Sequence, residues 1–135
     1  MTRQLISSSS TLENNTGYSR AVIEDGWIFI SSTAGFDYKT MFISDNIHDQ
    51  THKVFENIIS TLKEARASLE DIVQMRYYLV ESADWLIIRP ILHQYFNVIR
   101  PATTAIICGL VDPRVKIEVE IIAKQKKDNS SCPQS

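Results

Sequence analysis

The sequence has 135 residues, of which 44% are hydrophobic and 22% charged, and its formal net charge is −2. This length and balance predict one globular domain with its own apolar core. The slight negative charge argues against a nucleic-acid partner, since such proteins normally carry a basic face. The sequence contains no apolar run near the roughly 18 residues that a membrane helix needs, so we also expect no membrane partner.

Two cysteines are present, Cys108 and Cys132. Cys108 falls in an apolar run and is expected to be a small buried residue, whereas Cys132 falls in the C-terminal tail. Two such cysteines do not make a disulfide framework, and the N-terminus lacks the apolar core of a secretory signal. We therefore expect a cytoplasmic protein in a reducing compartment.

The N-terminal quarter predicts an arm followed by a hairpin. Residues 1–16 are rich in Ser, Thr and Asn without a period, which indicates a loop or a loosely docked arm. Residues 17–32 contain Asp25-Gly26 between two runs that favour strands, a strong signal for a tight hairpin turn. The second run, WIFIS, is nearly all apolar and is expected at the centre of the sheet.

A helix is predicted after a loop at residues 33–44. Asp45 is the expected N-cap, and the helix should continue to about Ala67 because apolar residues recur at helical spacing. His48 and His52 are four residues apart on this helix, a spacing that suits a metal. No third ligand is indicated and surface histidines on helices are common, so we expect no metal.

The middle of the chain predicts a strand and a second helix. The strand should cover Ile72 to Val80, with Val73, Met75, Tyr77 and Leu79 on one face. The helix should lie within residues 82–99 and contain Pro90: either it begins near Asp84 and is kinked at the proline, or it begins near Arg89 with Pro90 as its first residue. Its expected buried stripe consists of Leu86, Ile87, Ile91, Leu92, Tyr95 and Phe96.

The C-terminal third predicts a closing β-hairpin. Its arms would be Thr103 to Leu110 and Val115 to Ala123, joined by a proline-containing turn at residues 111–114. In the second arm Ile117, Val119 and Ile121 alternate with Glu118 and Glu120, so both glutamates share one face. On a solvated edge strand, such a shared face would have no functional significance. In a pocket with apolar walls, a carboxyl group becomes a candidate acid or base.

The element order is therefore β-β-α-β-α-β-β, an α+β domain with one mixed sheet and two helices on one face. The domain should span residues 1–124, and residues 125–135 have the composition of a disordered tail. The other face of the sheet mixes polar residues with Tyr and Ile and could take a partner.

Five segments in register resemble the RidA/YjgF family: GYSRAV, WIFISSTAG, LKEARASLEDIV, YYLVESADW, and RPATT followed by KIEVEIIA. The resemblance covers roughly residues 13–124. It implies the chorismate-mutase-like fold of that family and a homotrimer, in which barrel-like closure places pockets at the three subunit interfaces. It also implies an Ala-Gly pair where this chain has Ala65-Arg66.

Typical members of that family hydrolyse enamine or imine intermediates to keto acids and ammonia without a cofactor. The resemblance places the family's carboxyl residue on Glu118 and its tyrosine on Tyr18. Ser32 stands where glycine is usual, and its side chain would narrow the pocket. The arginine of the PAR motif, which would hold a substrate carboxylate, is replaced by Thr103.

Threonine offers one neutral hydrogen bond, a weaker anchor than a charge-assisted pair. Arg20 is the first candidate to replace the missing cation, because it lies two residues from Tyr18 on the same side of a strand. Arg89 and Arg100 are further candidates, although a solvated surface position is the simpler interpretation of both.

Three functions follow from this pattern. The first is an enamine or imine deaminase that acts on a small metabolite other than the usual family substrate, with Glu118 as the catalytic group and Tyr18, Arg20, Ser32 and Thr103 binding the substrate. The second is a trimer that binds a small ligand without turnover. The third is a protein-interaction scaffold with idle pockets.

Overall fold

A computed structural model describes residues 3–127. Eight strands and three α-helices follow one another as β1 (Gln4–Ile6), α1 (Thr11–Thr16), β2 (Ala21–Glu24), β3 (Trp27–Thr33), β4 (Phe36–Asp37), β5 (Phe42–Ile43), α2 (Ile47–Glu64), β6 (Ile72–Leu79), α3 (Ser82–Phe96), β7 (Ala102–Ile107) and β8 (Ile117–Lys124). Six strands form one sheet in the order β1-β2-β3-β8-β6-β7. The β6–β7 pair is parallel and the other pairs are antiparallel.

Both long helices pack on one face of this sheet, as predicted for an α+β domain. The core between them is formed by side chains that alternate along the central strands, among them Ile28, Ile30, Val119, Ile121, Met75 and Leu79. The opposite face has no such cover within residues 3–127. Phe29 is 46% exposed there, so the sheet has an open face.

The first hairpin is confirmed, but its first strand begins at Ala21, so Tyr18 and Arg20, which were expected on that strand, precede it. β2 and β3 pair from Ala21↔Ile30 to Glu24↔Trp27, and Asp25 and Gly26 have φ values of 55° and 80°. Two consecutive positive φ angles are the geometry that two-residue hairpins favour. β3 then pairs with β8 on its other side, which puts it inside the sheet as expected.

The prediction of a loose N-terminal arm was wrong. β1 adds an edge strand beside β2, and α1 follows with Ser10 as its N-cap. The buried Glu13 carboxylate accepts hydrogen bonds from the hydroxyls of Ser7, Ser8 and Ser10. The serine run that indicated a loop is therefore ordered around one carboxylate, a contact that the sequence pattern does not reveal.

The segment predicted as a loop before α2 contains the small β4–β5 ladder. The helix itself begins one residue later than expected, because the cap is Asn46, whose Oδ1 accepts from the backbone of His48 and Asp49, and not Asp45. The helix ends at Glu64 rather than near Ala67. Arg66 follows with φ 59°, the left-handed conformation in which glycine is usual after a helix.

The second helix is continuous from Ser82 to Phe96 with Pro90 inside it, so the alternative that starts near Arg89 was wrong. Its buried residues are Ile88, Ile91, Leu92 and Phe96. Leu86 and Ile87, which were expected in the stripe, are 66% and 41% exposed. The run LII allows several helical registers, and packing against the sheet selects Ile88.

β6 matches the predicted strand except at its start. Met75, Tyr77 and Leu79 are buried on the helix face, but Val73 is 45% exposed and Ile72 takes the buried place. The register against β8 shifts between Ile72 and Gln74. Such an irregularity changes which residues face the core.

The closing hairpin was wrong in its pairing. β7 pairs in parallel with β6, and β8 lies between β3 and β6, so the two expected arms do not touch as neighbours. The physical reason is α3: a helical crossover from β6 returns the chain to the same end of the sheet, which makes the next strand parallel. The proline turn exists, with Val115 N donating to Asp112 O at 3.0 Å, but it joins strands that are not partners.

Cys108 lies just after β7 and is half-buried rather than buried. Part of the predicted tail is ordered, since Gln125 Nε2 donates to Ala65 O at 2.7 Å. Residues 128–135, including Cys132, lie outside the described residues. Within residues 3–127, no helix combines the length and apolar character needed to cross a membrane.

Candidate functional site

Four of the five predicted site residues lie together. Ser32 connects them: its hydroxyl donates to Glu118 Oε1 at 2.7 Å, and its backbone carbonyl accepts from Arg20 Nη2 at 3.0 Å. The Arg20 guanidinium carbon is 5.8 Å from the centroid of the Tyr18 ring. We call Tyr18, Arg20, Ser32 and Glu118, together with Tyr38 described below, the Glu118 cluster.

A β-bulge in β3 places Ser32 in this cluster. The pairing with β8 is regular at Ile30↔Ile121 but shifts before Thr33↔Val119. Ile30 and Thr33 are both buried, so two residues between them, Ser31 and Ser32, occupy the space of one. The bulge therefore lets Ser32 reach Glu118 on the open face, which strict alternation would have prevented.

Arg20 is buried, with only 2% of its surface exposed. Its guanidinium carbon lies 4.7 Å from the centroid of the Tyr38 ring, within range of a cation–π contact. Its Nε and Nη1 have no hydrogen-bond partner among the described residues. The guanidinium thus lies between two tyrosine rings and holds the bulge through one hydrogen bond.

Sequence reasoning missed Tyr38, which was assigned only to a loop. Its hydroxyl accepts from Ala34 N at 2.9 Å, and this contact holds the ring against Arg20. An aromatic residue in a segment rich in turn residues is the only signal, and it does not identify a partner. Only the fold of β4 and β5 brings this ring to the cluster.

The hydroxyls of Tyr18 and Tyr38 remain protonated near neutral pH. Burial raises the pKa of Tyr18, and the Arg20 charge opposes that rise. Burial likewise raises the pKa of Tyr38 against the same cation, while the Glu118 carboxylate adds a smaller upward effect. Their hydroxyls can therefore donate hydrogen bonds, and no anionic tyrosine competes with Glu118.

Glu120 is a separate group on the same face. Its Oε1 accepts from the Tyr78 hydroxyl at 2.7 Å, and this hydrogen bond is the main reason that the pKa of Tyr78 is raised. Glu118 and Glu120 therefore bind different donors, on β3 and β6 respectively. This makes Glu120 a natural reference for any test of Glu118.

Thr103 does not join the Glu118 cluster within one chain. It pairs with Met75, whose side chain faces the helices, so Thr103 lies on the helix side of β7. It helps to line a cavity of about 480 Å³ between α3 and β7, which we call the Thr103 cavity. The other residues lining it include Arg89, Arg100, His93, Trp85 and Tyr77.

This cavity collects the alternative cations named from the sequence. Arg100 is fixed by its neighbour, since its Nε donates to Asn97 O at 2.8 Å and its Nη2 to Asn97 Oδ1 at 3.2 Å. Arg89 is exposed on α3. No acidic residue lines this cavity, so its charge suits an anionic group.

His48 and His52, the pair at which no metal was expected, are both exposed on α2. His52 Nδ1 is 3.2 Å from the Tyr95 hydroxyl. Across residues 3–127, no group of three or more His, Cys, Asp or Glu residues is arranged to hold a metal ion.

The family model described as "Endoribonuclease L-PSP" matches residues 8–125. A RutC family protein from Leuconostoc mesenteroides subsp. cremoris is 30% identical over 128 residues, which cover 91% of this chain and 98% of that protein. A protein from Arabidopsis thaliana named "Reactive Intermediate Deaminase A, chloroplastic" is 30% identical over 107 residues, 78% of this chain and 57% of that protein.

The fold agrees with solved structures. A Mycobacterium tuberculosis protein described as a member of the YjgF/YER057c/UK114 family superposes with a TM-score of 0.83 at 31% identity, covering 91% of this chain and 99% of that one. The overall fold of this chain is thus shared with that structure. This chain is a member of the RidA/YjgF family.

Proposed function

We propose that this protein is a cytoplasmic, cofactor-independent deaminase that hydrolyses a small enamine or imine other than the usual family substrate. The observation that carries the proposal is the Glu118 carboxylate, held by the Ser32 hydroxyl at 2.7 Å beside Tyr18. The deaminase name of the Arabidopsis thaliana relative agrees with it.

In this mechanism Glu118 acts as a general base and then as a general acid. Ser32 occupies Oε1, so Oε2 accepts a proton from the water that attacks the imine carbon. Glu118 passes this proton to the imine nitrogen, which gives a carbinolamine. It then takes the proton of the carbinolamine hydroxyl and delivers it to the same nitrogen, so that the carbon–nitrogen bond breaks to give a carbonyl product and ammonia. The protonated hydroxyl of Tyr18 donates to the substrate during this exchange.

The complete pocket would require neighbouring protomers. Thr103 and Glu118 lie on opposite faces of one chain, whereas a homotrimer closed through the open sheet faces would bring the edge strand of one copy to the Glu118 cluster of the next. The exposed apolar residues Phe29 and Ile106, at 46% and 43%, support such closure.

Arg89 is our candidate for the cation that holds the substrate. It lies in the Thr103 cavity, while Arg100 is tied to Asn97 and Arg20 is buried under two rings. Arg20, the first candidate from sequence, is better suited to hold the bulge at Ser32. Arg89 lies on α3, whereas position 103 lies on β7. A guanidinium at Arg89 would therefore favour a substrate that differs in length or shape from one held by an arginine at position 103.

The test is ammonia release from imines generated in place by an amino-acid oxidase. We expect activity in the wild type, a loss of about 100-fold or more in Glu118→Gln, and little change in Glu120→Gln, the matched control on the same strand. Arg89→Gln should raise KM. Activity that survives Glu118→Gln would refute the mechanism.

A trimer that binds a small ligand without turnover is the second candidate. Thr103 favours it, because this residue carries no charge and its hydroxyl donates to Pro101 O at 3.0 Å. In that case candidate ligands would raise the melting temperature without ammonia release, and Thr103→Arg alone would be active. A trimer that shows neither turnover nor ligand binding would indicate a protein-interaction scaffold.

A further inference from the structure

A second cavity, of about 400 Å³, has Arg20 in its lining. We call it the Arg20 cavity. It is enclosed by α2, the segment after β1 and the residues after β4, and its polar lining includes Ser8, Arg20, Lys39, Lys53 and Ser60. Neither Ser32 nor Glu118 contributes to it, so it is distinct from the proposed catalytic group.

Arg20 is the unusual feature of this lining. A guanidinium that is 98% buried has lost most of its hydration, and two of its nitrogens lack a hydrogen-bond partner among residues 3–127. The ion pairs formed within that range do not include Arg20. Aromatic rings compensate a buried cation only in part, and a buried charge normally has a charged or hydrogen-bonding partner.

The buried carboxylate of Glu13 does not fill that need. Glu13 is 3% exposed, but its oxygens accept from the hydroxyls of Ser7 and Ser8. These hydrogen bonds hold Ser7 and Ser8, which line the cavity, and stabilise the Glu13 carboxylate. Arg20 Nε and Nη1 therefore still lack a hydrogen-bond acceptor within residues 3–127.

The remaining charges also favour an anion. Lys39 and Lys53 add two cations to Arg20, against the carboxylates of Asp37 and Glu64. Asp37 Oδ1 already accepts from Lys39 N at 2.9 Å. Lys53 is engaged only by an exposed pair, 3.6 Å from Glu56, which is a weak interaction that an incoming anion could replace.

We propose that the Arg20 cavity binds a small oxyanion, a phosphate or carboxylate group, which pairs with the Arg20 guanidinium and is covered by Lys53. This binding does not require the deaminase activity. Arg20 also donates to Ser32 O. The bound anion would therefore contact a guanidinium that is itself hydrogen-bonded to Ser32, the residue whose hydroxyl donates to Glu118.

The test is calorimetric titration of the intact protein with inorganic phosphate at constant ionic strength, with chloride as the reference. We expect saturable binding in the wild type. Lys53→Met should weaken it roughly tenfold, as for loss of a charge-assisted contact. Lys63→Met is the matched control, because Lys63 lies on the same helix but outside the cavity, and its affinity should be unchanged.

Arg20→Gln should abolish binding if that variant folds; if it does not, the Lys53 and Lys63 pair decides the question. A parallel titration with acetate distinguishes a carboxylate site from a phosphate site. Absence of saturable binding for both anions overturns the proposal. It is also overturned if Arg89→Gln removes binding while Lys53→Met does not, since the anion would then occupy the Thr103 cavity.

Discussion

The Ser32 hydroxyl donates to Glu118 Oε1 at 2.7 Å, across the β3–β8 pair. A serine at this position does more than narrow a pocket, because it fixes one oxygen of the proposed catalytic carboxylate. The contact exists only because the bulge turns Ser32 toward the open face.

Ser32→Ala removes that hydrogen bond and keeps the Cβ atom. We expect kcat for imine hydrolysis to fall about 10-fold or more, the effect of one hydrogen bond to a charged group. Ser31→Ala is the matched control, since the Ser31 hydroxyl donates to Ser19 O instead. Equal rates in the two variants would show that the Ser32 contact does not assist Glu118.

Gly35→Ala should destabilise the fold. A Cβ atom at Gly35 would lie 2.7 Å from the Gln50 carbonyl oxygen and 2.9 Å from Gln50 Cα, so the backbone of α2 would have to move. We expect a loss of about 1–3 kcal/mol in the free energy of unfolding, as for other overpacked sites. Urea denaturation measures it.

Gly109→Ala is the control for that experiment, because nothing lies within 4 Å of its added Cβ. It should be neutral or stabilise slightly. A similar loss of stability in both variants would mean that close packing against Gln50 is not the cause.

Arg66→Gly should stabilise the protein. Arg66 has φ 59°, and Ala67 N donates to Leu62 O at 2.8 Å to close the end of α2. Relief of the left-handed conformation gains about 1 kcal/mol, part of which is lost to the freer unfolded chain. Arg66→Ala retains the strained φ and should show no gain; thermal denaturation of both variants distinguishes conformation from loss of the side chain.

Stability should fall at alkaline pH because of Tyr77. Burial raises the pKa of Tyr77 far above its ordinary value of 10.0, so above pH 10 the unfolded chain releases a proton that the folded chain retains. The contribution of protonated Tyr77 to the free energy of unfolding is fully present below pH 10. Above pH 10 it falls by about 1.4 kcal/mol per pH unit. Tyr77→Phe should reduce this slope in urea denaturation between pH 10 and 11.5, and an unchanged slope would contradict the burial effect.

Local patterns predicted much of the fold. Asp25-Gly26 predicted the first hairpin because its turn conformation depends on two adjacent residues. Alternation in β8 and helical spacing in α2 predicted the buried faces of both, since each reflects the geometry of one element. The shared face of Glu118 and Glu120 followed from the same rule.

The sequence by itself determined the order of the seven main elements from β2 to β8 without β4 and β5, the family, and the residues Tyr18, Arg20, Ser32 and Glu118 as one candidate group. The tertiary structure alone decided which strands pair, that a bulge aims Ser32 at Glu118, that Tyr38 covers Arg20, and that Thr103 lies on the opposite face. The reason is physical: strand pairing, bulges and ring contacts depend on residues far apart in the chain, where competing arrangements differ by packing that no local pattern encodes.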